Sequence, residues 1–197
     1  MKKISIIAAA TALTLSQGVF AKDIAEGTFS FSGATGGGMS FINSEVDAAD
    51  AEFDTFTLEL ETFARYFIQE NIALGVGFEY SNTNTEYDGG NEDEETSLIL
   101  KPGIFYNHSL NEDNGIIFGA TLDIGSIEYS STGSETTEFD VSGITFGGIF
   151  QHFVTENVTL DASATYSMLT LEEDASGFEV DSSGLTFGVG ATFYFSK

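Results

Sequence analysis

Apolar residues fall on every second position through most of this chain. The run near the end is the cleanest: Leu185, Phe187, Val189, Ala191, Phe193 and Phe195 alternate with Gly184, Thr186, Gly188, Gly190, Thr192 and Tyr194. Successive side chains of a strand point to opposite faces, so the pattern predicts one greasy face and one small or polar face. Ile72, Leu74, Val76, Phe78 and Tyr80 alternate with Ala73, Gly75, Gly77 and Glu79 in the same way. Phe56, Leu58 and Leu60 alternate with Thr57, Glu59 and Glu61, and Leu98, Leu100 and Pro102 with Ser97, Ile99 and Lys101. Phe118, Ala120, Leu122 and Ile124 face away from Gly119, Thr121, Asp123 and Gly125. Val158, Leu160, Ala162, Ala164 and Tyr166 face away from Thr159, Asp161, Ser163 and Thr165. Weaker alternation marks Ile144 to Phe150 and Thr28 to Ser32.

Eight strands follow, over about 27–36, 53–68, 71–82, 95–107, 115–129, 139–153, 157–170 and 183–196. Several exceed the roughly 9–11 residues that a tilted strand needs to cross a bilayer. The connections alternate in length. Gln69-Glu70, Asn107 to Asn114 and Thr155-Glu156 are short, whereas the stretches near 37–52, 83–94, 130–138 and 171–182 are long. The stretch Tyr66 to Leu74 is echoed by His152 to Leu160, each with Glu-Asn at a predicted turn.

The amino terminus departs from this pattern. Met1-Lys2-Lys3 is followed by an apolar run from Ile4 to Leu15 and by Val19-Phe20-Ala21. Basic start, short apolar core and small residues before a cut predict a secretory signal peptide over 1–21, cleaved after Ala21. The remaining chain, 22–197, forms one domain. Without Lys2 and Lys3 it holds four bases against 31 acids, a net charge near −27 (4 − 31). Nucleic acid is excluded as a partner, because too few cations are present to neutralise phosphates. With no cysteine, disulfides and thiolate chemistry are excluded.

Residue size decides which face looks inward. The polar face carries Gly, Ala, Ser and Thr together with Glu59, Glu61, Arg65, Glu79, Lys101, Asp123 and Asp161. An eight-stranded barrel has an interior that side chains just fill. Bulky Phe, Leu, Ile and Val would overfill it but suit lipid, so the expected fold is all-β, an eight-stranded antiparallel up-and-down transmembrane β-barrel. Short turns then lie on the periplasmic side and long loops outside. Five of the seven interior ions are acids, and a buried charge must be paired or wet. Counting up from the turns puts Arg65 and Asp161 low and Lys101, Glu61, Glu79 and Asp123 at mid-height. A cluster of Lys101 with Glu61 and Glu79 is expected, with a lower contact made by Arg65.

The strand plan, the signal peptide and the run Tyr66 to Tyr80 resemble the small outer-membrane barrels of the OmpA/OmpX type. The ending Gly190-Ala191-Thr192-Phe193-Tyr194-Phe195 is similar to that class's carboxy-terminal assembly signal, although Ser196-Lys197 follow the last aromatic here. The resemblance implies a bacterial outer-membrane location, contact with lipid and lipopolysaccharide, and a role for Gly190, Phe193 and Phe195 in recognition by the barrel-assembly machinery. Roles within such families range from adhesins to narrow channels and lipid-modifying enzymes, so the fold leaves function open.

Catalytic signatures fall short. Gly33 to Ser40 approaches a phosphate-binding loop but has Met39 where the lysine belongs, so it is expected to be a flexible loop. His108-Ser109 lacks a third group to orient the base, and adjacent residues point apart. His152 is expected as an interfacial ring. The acid-rich stretches hold Glu45, Asp47, Asp50 and Glu52; Glu86, Asp88 and Glu92 to Glu95; Glu135 and Glu138; and Glu172, Glu173, Asp174, Glu179 and Asp181. None has the EF-hand spacing. They predict a solvated, self-repelling surface, with divalent cations as bridges to lipopolysaccharide phosphates or with basic partners. No catalysis, cofactor or metal centre is expected. The favoured reading is a monomeric surface-interaction barrel; the alternative is a narrow cation-preferring channel.

Overall fold

The computed structural model describes residues 23–33, 38–46, 51–87, 90–173 and 175–196, with the backbone alone for 38–46 and 51–53. The expected signal peptide, together with Asp47, Asp50, Asp88 and Asp174, lies outside them. The strands are β1 (Phe29–Gly33), β2 (Gly38–Val46), β3 (Ala51–Gln69), β4 (Ile72–Tyr87), β5 (Asn91–Asn111), β6 (Asn114–Ser131), β7 (Thr137–Thr155), β8 (Val158–Glu173) and β9 (Glu179–Phe195). From β2 to β9 consecutive strands pair antiparallel, and β1 closes the ring by pairing with both β3 and β9. β1 and β2 both lie along β3, with Gly33 opposite Thr62 and Gly38 opposite Glu59. They share one strand position, so nine segments form an eight-stranded barrel.

That arrangement corrects the expectation of a loop over 37–52, because Gly38–Val46 is a strand. Phe41, Ile42 and Val46 favour the extended chain, and the neighbouring glycines and acids obscured them. The other long connections contract as well. β4 runs to Tyr87 and β5 starts at Asn91; β6 ends at Ser131 and β7 starts at Thr137; β8 ends at Glu173 and β9 starts at Glu179. Most of the acids assigned to loops therefore stand on strands. Hydroxyl pairs across neighbouring strands support these extensions: Thr55–Thr85 and Thr57–Thr83 at 3.2 Å, and Ser81–Ser97 at 2.8 Å.

The opposite end is tight. The connection expected over Asn107 to Asn114 shrinks to Glu112-Asp113, since β5 continues to Asn111. Register shifts fall just before all three turns, between Phe67 and Gln69, Ser109 and Asn111, and Phe153 and Thr155. Bulges at a barrel rim bend the strand toward its turn. The sequence echo thus corresponds to two hairpins bulged at equivalent positions. Asn71 holds a φ of 63°, which asparagine tolerates better than most residues. Its Oδ1 accepts from Ile24 N at 3.1 Å and from Asn107 Nδ2 at 3.0 Å, tying the segment before β1 to the turn end.

Alternation sorts the faces. Leu74, Val76, Leu100, Ile104, Leu122, Ile124, Leu160 and Leu185 are exposed on the outer wall, and Phe187 and Val189 are 73% and 77% exposed. The inside differs from the size argument. Phe63, Phe67, Phe105, Ile117, Ile149 and Tyr194 are buried in the half of the lumen next to the turns, where Ile24 joins them. Glycines make the room. A Cβ on Gly77 would sit 2.3 Å from the Phe63 ring, and one on Gly119 would sit 2.5 Å from the Phe105 ring. Bulky rings fit inside an eight-stranded barrel when the strand beside each supplies a bare backbone.

Candidate functional site

The lumen holds the polar chemistry. In β3, Glu61 and Arg65 share the inward face with Phe63 and Phe67 because they are two residues apart. Glu61 stands directly opposite Glu79 of β4. Two like charges in direct cross-strand register repel, and Lys101 of β5 resolves them. Its Nζ donates to Glu61 Oε1 at 3.1 Å and also contacts Glu79 Oε2. Lys101 is nearly buried, while the two carboxylates keep partial access to water. Above this trio a cavity of about 310 Å³ is lined in part by Glu59, Glu61, Glu79, Lys101 and Asp123. Glu59 is exposed and makes no ion pair among the described residues.

Asp123 and Asp161 are handled by hydroxyls rather than by cations. Asp123 accepts from Thr121 Oγ1 at 2.8 Å and from Thr145 Oγ1 at 2.5 Å. A hydroxyl has one proton to give, so the 2.7 Å contact between Thr145 and Ser167 is donated by Ser167. Asp161 accepts from Thr159 at 2.6 Å and Gln151 at 3.2 Å on one oxygen, and from Thr192 at 2.5 Å on the other. Gln151 in turn accepts from the Tyr194 hydroxyl at 2.5 Å. Alternation already placed Thr159, Thr192 and Tyr194 on the polar face, but nothing in the sequence singled out Gln151 or joined the four to Asp161.

Arg65 departs from the ionic contact expected of it. Its guanidinium is fully buried, with Cζ 5.1 Å from the Phe63 ring centroid and 4.8 Å from that of Phe105. The seven ions do not form one cluster. Lys101 joins Glu61 and Glu79, Asp123 and Asp161 have separate hydroxyl shells, and Arg65 lies between rings. At the end of the chain, Phe193 and Phe195 point outward and Phe195 lies 6.2 Å from Phe29, ring to ring. Gly190 sits opposite Asp161. His152 Nδ1 lies 3.0 Å from Asn114 Oδ1 at the turn end, and Ser109 Oγ accepts from Asn107. Among the described residues no three His, Cys, Asp or Glu side chains are grouped to hold a metal ion.

The end away from the tight turns, where β4 meets β5, β6 meets β7 and β8 meets β9 (the hairpin end), carries a second polar region. Tyr87, Asp93, Glu94, Glu95, Tyr129 and Glu135 help to line an open cavity of about 430 Å³. Asp93 accepts from the hydroxyls of Ser131 and Tyr87, the latter at 2.9 Å. The Ser131 bond, then that of Tyr87, holds the Asp93 carboxyl below its ordinary range, and the bond to Asp93 pushes the Tyr87 phenol up. A carboxyl depressed on folding stabilises above its unfolded pKa and loses that contribution as pH falls through the folded value. Carbon-13 NMR titration is expected to show Asp93 protonating below the ordinary aspartate range. Asp93→Asn should return Tyr87 toward an ordinary phenol; an unchanged Tyr87 titration would show that the bond is not formed in solution.

A family model for the outer membrane protein beta-barrel domain matches residues 6–193. A search of the curated proteins finds no match. Among solved structures the chain is similar to Ail, the attachment invasion locus protein of Yersinia pestis, in complex with the heparin analogue sucrose octasulfate. Identity is 17%, over 86% of this chain and 99% of that one, with a TM-score of 0.48. It is also similar to the translocator domain of the autotransporter NalP from Neisseria meningitidis, at 16% identity over 94% of this chain and 66% of that one, with a TM-score of 0.41.

Proposed function

Because the chain belongs to the outer membrane protein beta-barrel domain family, and so is an integral barrel of the bacterial outer membrane, we propose that it serves as a surface-interaction barrel presenting an anionic rim. One observation carries this reading. Among the described residues the only lysine and arginine are Lys101 and Arg65, and both face the lumen. The hairpin end therefore offers acids without cations: Glu86, Glu92, Glu94, Glu128, Glu135, Glu138, Glu172, Glu179 and Asp181. Such a rim repels polyanions and attracts divalent cations or basic partners. With the hairpins outside and the turns in the periplasm, calcium or magnesium bridges the rim to lipopolysaccharide phosphates. The signal peptide over 1–21 delivers the chain, Phe193 and Phe195 guide its insertion with Gly190, and the barrel acts as a monomer without catalysis.

Calorimetry on the purified barrel tests the rim. Calcium and magnesium are expected to bind, and sucrose octasulfate, the ligand in the Ail structure, is expected to give no heat. Binding of the sulfated sugar, or silence with both cations, would overturn the proposal. The second reading, a narrow cation-preferring channel, is favoured by the acid-lined cavity above Lys101. The packed rings of Phe63, Phe67, Phe105 and Tyr194 below it weigh the other way. Planar-bilayer recording is expected to show no steady openings; cation-selective openings would establish the channel instead.

A further inference from the structure

Toward the hairpin end the barrel wall has a free edge. β9 pairs with β8 from Glu179, opposite Glu172, to Phe193, opposite Val158. On its other side it meets β1 alone among the described residues, over Ala191 to Phe195. β2 pairs with β3 alone. β2 and β9 scarcely come within 8 Å of each other, Cα to Cα, whereas paired strands lie about 4.8 Å apart. Ser182, Gly184 and Thr186 share the inward parity and are nevertheless exposed, while Leu169, Ser167 and Thr165, opposite them on β8, are half-buried. A Cβ on Gly184 would meet nothing within 4 Å.

A free edge offers a row of backbone N–H and C=O groups, and lysine or proline on the strand is a common guard against pairing. Neither occurs from Glu179 to Gly190. Charge then selects the occupant. Continued past Gly33, which stands opposite Ala191, the β1–β9 register would set Glu45 of β2 opposite Glu179. Glu179 already stands opposite Glu172, and Glu45 opposite Glu52. Closure by β2 would put four glutamates in one row, and like charges in direct register repel. The β9 edge of a second copy brings the same acids, Glu179 and Asp181. A cationic strand meets them with the opposite sign, and Thr170 already steadies the Asp181 carboxylate by donating to it at 2.9 Å. Resting on the anionic-rim reading, we propose that an extended basic peptide segment of a partner protein adds to the β9 edge, from Glu179 to Gly184, as an antiparallel strand. Alternate lysines or arginines of that segment pair with Glu179 and Asp181. Main-chain hydrogen bonds give such an added strand its affinity, and the alternating side chains give it specificity.

Two synthetic peptides of alternating lysine and threonine test this on the purified barrel in micelles, one with ordinary amides and one N-methylated at every residue. Calorimetry is expected to find the first binding at least about tenfold tighter, because methylation removes the main-chain donors and keeps the charge. Glu179→Gln with Asp181→Asn, both on exposed positions, should weaken that binding by about tenfold. Amide hydrogen exchange followed by NMR should slow between Glu179 and Gly184 when the ordinary peptide is added. Equal binding of the two peptides would overturn the edge site and leave the rim standing. Silence with the ordinary peptide in a barrel that still binds calcium would do the same, and silence with calcium and magnesium as well would remove the rim reading too. Amides from Glu179 to Gly184 already slow in the free barrel would show the edge filled by the chain itself and would also overturn the proposal.

Discussion

Lys101→Met is expected to destabilise the folded barrel by about 2–3 kcal/mol, less than the roughly 3–5 kcal/mol for breaking a fully buried pair because both carboxylates reach some water. The reason is register. Glu61 and Glu79 are direct cross-strand partners, and Lys101 touches both. Removing the cation leaves two like charges side by side in a narrow lumen. The triple variant Lys101→Met, Glu61→Gln, Glu79→Gln should recover most of the loss, since amides remove the repulsion while keeping hydrogen-bonding groups. Urea unfolding from detergent micelles, followed by heat-modifiable gel mobility, measures both. A K101M barrel as stable as wild type would show that water, not the lysine, separates the acids.

Gly119→Val is expected to cost about 3 kcal/mol or to block folding, the upper end of the usual overpacking range. A Cβ at Gly119 lies 2.5 Å from the Phe105 ring, and one at Gly75 lies 2.9 Å from the ring's other edge. Phe105 is thus confined on two sides, and it also packs edge-on to Phe63 at 5.8 Å. A shift of the ring would bring it against the backbone at Gly75 or cost its contact with Phe63. Phe105→Val in the same chain should make the pair less destabilising than the sum of the single variants, with a coupling of at least about 1 kcal/mol. Additive losses would mean that the valine is accommodated by the backbone, not opposed by the ring.

Both effects trace back to alternation, which the sequence displays openly. Arg65, Phe63 and Phe67 share parity, so their common face is readable from the numbers alone. The expectation that only small residues line the lumen set that parity aside in favour of average size. What it missed is that Gly75, Gly77 and Gly119 make local room for rings. The Lys101 trio was readable because parity and height above the turns both pointed to it. Arg65 was not, because its neighbours in space are Phe105 on another strand and a carboxylate, Asp161, already occupied by hydroxyls.

The hairpin end shows where the pattern stops informing. A strand reads as a strand when one face meets lipid and the other does not. Beyond the membrane both faces meet water, so Thr83 to Tyr87 and Asn91 to Glu94 lose the greasy row and look like an acidic loop, though they remain paired. Cross-strand hydroxyls and backbone ladders hold them there, and neither leaves a mark in a single chain's hydropathy.

By itself, then, the sequence determined the all-β class, the ring of eight strand positions, the lipid-facing rows and the concentration of cations on the inward face. Each follows from side chains alternating about a strand, which is local geometry. Tertiary structure alone decided that β1 and β2 share one strand position and that rings pack the half of the lumen next to the turns. It also decided that Glu61 and Glu79 stand in direct cross-strand register and that Arg65 lies between the rings of Phe63 and Phe105. Those facts depend on register and closure, which set the heights at which residues from different strands meet.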